Sequence, residues 1–295
     1  MDTEASGFNT NETVAIIGLG LMGGSFARGL RRIGTKHIIA VDTDEKALQK
    51  AKQEGMVDEV YTTGSTALRR ARMIIFCTAT AVMIRFLAEH KTCFAPGTIV
   101  TDVAGIKGDT ADAIKALLPE GVDFIPGHPM AGREGKGYAM ASADIFNNAN
   151  YILVPMPENK ENHLLAVTSM AMALGCAHVV RVSPEKHDRF IAYTSCLPHV
   201  LATALVNSES MDPMTKYFVA GSFRDGTRVA DINAALWTSL FLTNKENLVH
   251  EIDCFRKALT DFSTMLSDED AEGMTRFLQQ AAARRRDLVY ETHSR

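Results

Sequence analysis

The run Val14-Ala-Ile-Ile-Gly-Leu-Gly-Leu-Met-Gly-Gly-Ser25 passes from an apolar, β-type stretch into glycines and then into a helical pattern that carries Phe26, Leu30 and Ile33. Such a strand must turn tightly at Gly18, bare its backbone at Gly20, and let the following helix pack closely at Gly23. The helix N-terminus then offers unpaired N–H groups and the positive end of its dipole, a natural seat for an anionic pyrophosphate. Gly18, Gly20, Leu21, Met22 and Gly23 are therefore candidate cofactor contacts. A second apolar run, His37-Ile-Ile-Ala-Val-Asp42, ends on an acid about 20 residues past the last glycine, where a ribose-binding carboxylate belongs. A glycine-rich turn that holds no ligand is the alternative, and it leaves Asp42 as coincidence.

Asp42 also bears on which dinucleotide fits. Its carboxylate accepts hydrogen bonds from ribose hydroxyls and repels a 2′-phosphate, and Thr43-Asp44-Glu45 brings no arginine to neutralise one, so NAD is expected over NADP. Asp42 or Thr43 also suits the N-cap of the helix through Ala47 and Ala51. Thr78 and Asp102 are further candidate cofactor contacts.

Further apolar runs, Met73–Cys77, Thr98–Asp102, Asp123–Pro126 and Tyr151–Val154, alternate with helical or polar segments. The alternation predicts a doubly wound, mainly parallel sheet covered on both faces. A helix near Asn162–Leu174 and a strand near His178–Val182 are expected to complete it. From Ser183, an N-cap followed by Pro184, strand patterns cease, and the segments 185–209, 233–266 and 268–290 carry apolar residues at helical spacing. Ser267-Asp-Glu-Asp270 marks a fresh helix start. The expected organisation is a polar tail over 1–10, a Rossmann-type dinucleotide-binding domain over 11–183, and an all-α domain over 184–295. Helices of that length hardly bury every apolar stripe alone, so pairing with a second copy is expected.

A net charge of −4, from 31 Lys+Arg against 35 Asp+Glu, provides no global field for nucleic acid or an anionic membrane. The polar N-terminus lacks an apolar signal region and no stretch reaches 18 uninterrupted apolar residues, so a cytoplasmic protein is expected. Five scattered cysteines without a CxxC pair read as reduced thiols, with no zinc site. Arg284-Arg-Arg286 reads as a solvated helix face.

His128, in Pro126-Gly-His-Pro-Met-Ala-Gly-Arg-Glu134, follows a predicted strand at the carboxyl edge, where ligands bind in such sheets. A neutral imidazole there accepts a hydroxyl proton near pH 7 while hydride leaves the same carbon; a structural histidine is the alternative. Ser195 and His199 lie four apart on one helical face, and Pro198 cannot donate to the Thr194 carbonyl, so the helix is expected to be disturbed there. Arg224 and Arg228 are likewise four apart, with Asp225 to orient them, and suit a carboxylate; surface pairing with Asp225 or Asp231 is the other reading.

The glycine motif, Thr101-Asp102 with Lys107, His128 to Glu134, His187-Asp188, Ser195-Cys-Leu-Pro-His199, Arg224-Asp-Gly-Thr-Arg228, Trp237 and Asn244-Lys-Glu-Asn247 occur in an order that resembles the prephenate and arogenate dehydrogenases of tyrosine biosynthesis. The resemblance runs from Val14 to Leu266. It implies a Rossmann domain, a helical dimerisation domain and an active site between them. The implied reaction is the NAD-dependent oxidative decarboxylation of prephenate to 4-hydroxyphenylpyruvate, or of arogenate, with both as a further possibility. His128 then takes the hydroxyl proton and Arg228 clamps the ring carboxylate, while Ser195, His199, Glu134, Arg224 and Trp237 line the substrate pocket.

Two positions depart from the family pattern. Gly105 stands where a serine beside the catalytic histidine is usual, and Cys196 replaces the first histidine of a usual Ser-His-Leu-Pro-His motif. A hydroxyacid dehydrogenase or imine reductase on similar domains normally places lysine or aspartate in the long helix where this chain has Ser195 and His199. A non-catalytic NAD-binding sensor is the third reading, motivated by Gly105 and Cys196. The helices run to the end of the sequence, so any tyrosine feedback is expected at the active site itself.

Overall fold

The computed structural model describes residues 7–108, 110–133 and 135–288. Backbone contacts divide the chain into two units, Met1–Ile191 and Ala192–Arg295.

The first unit opens with β1 (Thr13–Ile17), α1 (Leu21–Arg32), β2 (His37–Val41), α2 (Glu45–Gln53) and β3 (Glu59–Tyr61). It continues with β4 (Ala71–Phe76), α3 (Thr80–Glu89), β5 (Ile99–Asp102), α4 (Thr110–Leu117) and β6 (Asp123–Ile125). These strands form one sheet in the order β3-β2-β1-β4-β5-β6, every neighbouring pair parallel. This is the order of dinucleotide-binding folds, with its direction reversing between β1 and β4. Side-chain alternation sorts the strands into two cores. Val14, Ile16, Ile38, Met73 and Ile75 pack with Phe26 and Leu30 of α1, whereas Ala15, Ile17, Ile74 and Phe76 pack with Met83 and Leu87 of α3. Burying each such large apolar side chain contributes about 1.5–3 kcal/mol.

The unit ends with β7 (Gly127–Pro129), β8 (Asn150–Leu153), α5 (Glu161–Leu174), β9 (His178–Arg181) and α6 (Pro184–Ile191). The runs expected to complete the parallel sheet instead form a second, three-stranded sheet, β7-β8-β9, in which β7 and β8 are antiparallel. Pro126 alone separates β6 from β7, and β7 pairs with β8 in place of a strand of the first sheet.

Among its described residues the second unit is all helical. A π turn (Ala192–Cys196) leads to α7 (Leu197–Val206), then α8 (Gly221–Thr227), α9 (Ala234–Thr243), α10 (Lys245–Ser267) and α11 (Ala271–Asp287). The helix pattern read over 233–266 is interrupted at Asn244, the cap shared by α9 and α10. The fresh start before α11 is present, with the Asp270 side chain accepting from Gly273 N. The arginines 284–286 lie exposed in the last turn of α11.

The division at Ile191 falls one helix beyond Ser183, because His187 and Asp188 of α6 bond to His128, Lys107 and Gly108. One helical run, Pro184–Val206, is long and apolar enough by composition to cross a membrane. Its first turns carry the buried polar residues His187 and Asp188.

Candidate active site

The glycine turn lies at the carboxyl end of β1, beside Cys77 and Thr78 at the end of β4. Gly18 has φ +92°, and a Cβ there would stand 2.7 Å from Thr78 Cγ2. A Cβ on Gly23 would meet the Gly18 carbonyl oxygen, so strand and helix close on each other only without a side chain. Gly20 is different: nothing lies within 4 Å of its virtual Cβ. The chain thus keeps open space at the N-cap of α1, where helix amides lack partners.

Next to this turn is a cavity of about 220 Å³, lined by Gly18, Asp42, Thr43, Thr78, Arg85 and His90 among others. Asp42 accepts from Leu19 N and Asp44 N, tying β2 to the glycine turn. It does not cap α2, and neither does Thr43: the cap is Asp44, which accepts from Lys46 N and Ala47 N. Thr78 Oγ1 is buried without a hydrogen-bond partner. An open glycine cradle, an acid beside it and a buried hydroxyl without a partner fit a dinucleotide. Arg85 and His90, from the α3 region, were not among the residues read from the sequence, since nothing local ties α3 to the glycine motif.

The Asp102 side chain is bonded within the protein. It is buried at the end of β5, accepts from Lys107 Nζ at 2.8 Å on both oxygens, and accepts from the amides of Ala104 and Gly127. Lys107 Nζ also donates to the Gly127 carbonyl at 2.6 Å. Burial lowers the Lys107 pKa while Asp102 opposes that shift. Gly127 itself permits the approach, since a Cβ would stand 2.7 Å from Tyr151 Oη. This buried pair therefore fixes the start of β7, and with it the next residue, His128.

His128 is half-buried, with Nδ1 3.0 Å from His187 Nε2. His187 Nδ1 is 2.6 Å from Asp188 Oδ1. Burial, then the charge of Lys107, then His187, holds the His128 pKa well below the usual histidine range, so the ring is neutral at pH 7. It stands just past the carboxyl end of β6, on the edge of the sheet where β1 releases the glycine turn.

In the helical unit, the expected disturbance before Pro198 is a π turn, and Ser195 lies in it. His199 Nδ1 donates to the Ser195 carbonyl at 2.8 Å, and its ring stacks on Trp237 with centroids 3.6 Å apart. His199, Ser195 and Trp237 are thus one cluster. Arg224 lies on α8 and Arg228 directly follows that helix, both exposed. Cys196 is buried. Glu134 lies outside the described residues. No group of metal-ligating side chains occurs among the described residues, and the five cysteines are in no disulfide.

A 3-2-1-4-5-6 parallel sheet, a glycine cradle at its reversal point and a neutral histidine at the same edge define a dinucleotide-dependent dehydrogenase. Residues 26–180 match the family model for the prephenate dehydrogenase nucleotide-binding domain, and 183–280 that for the prephenate dehydrogenase dimerization domain. The chain belongs to the prephenate dehydrogenase family, and it is an NAD-dependent dehydrogenase. It is 32% identical over 282 residues to prephenate dehydrogenase of Bacillus subtilis, covering 92% of this chain and 74% of that one. It is similar to the crystal structure of prephenate dehydrogenase from A. aeolicus in complex with hydroxyphenyl propionate and NAD⁺, with TM-score 0.85, 29% identity, and coverage of 94% and 98%. Arogenate dehydrogenase of Synechocystis matches with TM-score 0.82 and 29% identity, covering 94% of this chain and 100% of that one.

Proposed function

We propose that this chain oxidatively decarboxylates prephenate to 4-hydroxyphenylpyruvate in tyrosine biosynthesis. The observation that carries the reading is His128, neutral, held by a neighbouring ring and set at the sheet edge that also carries the glycine cradle.

Gly18, Gly20, Leu21, Met22 and Gly23 would hold the pyrophosphate of NAD through backbone, with Asp42 on the ribose hydroxyls and Thr78 beside them. Bound NAD supplies the hydride acceptor. His128 accepts the proton of the ring hydroxyl as the carbon bearing it is oxidised. Arg228 holds the ring carboxylate by charge-assisted hydrogen bonds until it leaves as carbon dioxide, and the ring becomes aromatic. Ser195, His199, Arg224 and Trp237 orient the rest of the substrate; Trp237 and His199 give it an aromatic platform.

Arogenate is the second reading, favoured by one feature. The bond from His199 Nδ1 to the Ser195 carbonyl puts Nε2 on the opposite side of the ring, and with a single ring proton that nitrogen accepts from an ammonium donor.

We further propose a homodimer through the helical unit. Leu236, Leu242, Val249, Leu259, Leu266 and Leu278 are all about half exposed or more there, and the matched family model is described as a dimerization domain. The cysteines, in no disulfide, suit the reducing cytoplasm.

The test is to supply purified protein with NAD and either prephenate or arogenate, measuring NADH, carbon dioxide and product mass. Equimolar NADH and carbon dioxide from one of them support the reading. Turnover of small hydroxyacids but neither cyclohexadienol overturns it.

A further inference from the structure

His187 and Asp188 are buried, ionisable and without a part in the reaction as written above. They are 2% and 5% exposed, in a helix whose neighbours are otherwise apolar or charged surface. His187 presents Nε2 to Nδ1 of His128 at 3.0 Å and Nδ1 to Oδ1 of Asp188 at 2.6 Å. The imidazole rings are tilted by 59°, with centroids 5.2 Å apart, so they meet through nitrogen and do not stack. Asp188 is itself fixed by two backbone amides, accepting from Lys107 N at 2.9 Å and Gly108 N at 2.6 Å.

These contacts set where the protons are. A carboxylate accepts and does not donate, so the proton between Asp188 and His187 sits on Nδ1 of His187. A ring of His187 that carries this one proton has a bare Nε2, which accepts from Nδ1–H of His128. The lone pair of His128 is left on Nε2, the nitrogen opposite that contact.

We propose that His187 and Asp188 are positioning residues that lock His128 in the Nδ1–H tautomer and keep Nε2 bare for the substrate hydroxyl. The inference rests on the reading of His128 as the proton acceptor. In the step itself the substrate O–H bond breaks and an Nε2–H bond forms on His128. The positive charge that results is shared along the Nδ1–H bond to His187 and countered by the Asp188 carboxylate. The other charged groups around His128 are Lys107, which opposes a cation there, and Asp102, which pairs with Lys107. Gly105 occupies the position where the resemblance expects an orienting serine; the orienting contact in this structure comes from α6 instead.

Two experiments test this. Histidine side-chain ¹⁵N–¹H correlation spectra of the unaltered protein, with His128→Asn used for assignment, should show His128 protonated on Nδ1 and bare on Nε2 near pH 7. The opposite tautomer overturns the proposal. Steady-state kinetics then compare His187→Gln, whose amide oxygen preserves an acceptor near the Nε2 position, with His187→Leu, which removes it. We expect His187→Gln within about tenfold of the parent and His187→Leu down about 100-fold in kcat, with KM for both substrates little changed. A wrong tautomer costs about 10⁴ in kcat in the Ser-His-Asp template, so the effect is of readable size. Folded His187→Leu with parental kcat and pH profile overturns the relay. If His128→Asn is also fully active, the reading of His128 as acceptor fails; if His128→Asn is inactive while His187→Leu is not, the relay alone fails.

Discussion

The chemistry of this chain turns on how a single ring is kept neutral. For His128 the folded state disfavours the charged form, so its proton is bound later, as pH falls, than in the unfolded chain. The same holds for His163, which is also lowered by burial. Stability linked to these rings is therefore whole above the ordinary histidine range and lost as pH drops below about 6.5. Activity follows the same direction. The acid limb of kcat/KM should lie below about 6.5, since the free enzyme keeps its base unprotonated through that range; a limb centred near 7 would contradict the assignment. Arg228 gives a separate prediction. It is solvent-exposed in this chain, so Arg228→Ala should raise KM for the cyclohexadienol about tenfold, as loss of a charge-assisted hydrogen bond does, with KM for NAD unchanged. An unaltered KM for the substrate would place its carboxylate elsewhere.

At the scale of elements, the glycine turn separates folding from binding. Gly23→Ala would drive a methyl into the Gly18 carbonyl and should cost stability, seen as a lower Tm, together with NAD affinity. Gly20→Ala meets no protein atom within 4 Å, so it should leave Tm within a degree or two and still weaken NAD binding by about tenfold, because its methyl occupies the cofactor's space. Equal NAD affinity in Gly20→Ala, measured by calorimetry, would remove the pyrophosphate from that turn. Most of these elements were legible in the sequence, because buried parallel strands such as Ile99–Asp102 read as short apolar runs between helix signals. Glu59–Tyr61 was not, being three residues with half-buried sides. Gly127–Pro129 was not either, since glycine and proline argue against a strand and only the antiparallel pairing with β8 makes it one. The candidate site was partly legible. His128, the glycines and Asp42 carry local signals, whereas the orientation of His128 by His187, the anchoring of Gly127 by Lys107 and the place of Arg85 depend on contacts between residues far apart in sequence.

For the whole molecule, the two units bury their apolar residues unequally. The sheet unit has two filled cores, one on each face. Leu242 and Leu266 of the helical unit, by contrast, are 67% and 60% exposed. A dimer covers such surface, so analytical ultracentrifugation at micromolar concentration should give about twice the mass of one 32.2 kDa chain. Leu242→Asp combined with Leu259→Asp should shift the protein toward monomer. A parent protein that sediments as a monomer would contradict the proposed assembly.

Whether His128 takes the hydroxyl proton as the ring is oxidised and decarboxylated is decided by one single-turnover experiment. Parent and His128→Asn enzymes, each saturated with NAD, are mixed with prephenate or arogenate, and NADH appearance is followed. A burst of NADH is expected from the parent and a rate at least about 100-fold lower from His128→Asn, with NAD affinity the same in both. Equal rates from the two enzymes would contradict that role for His128.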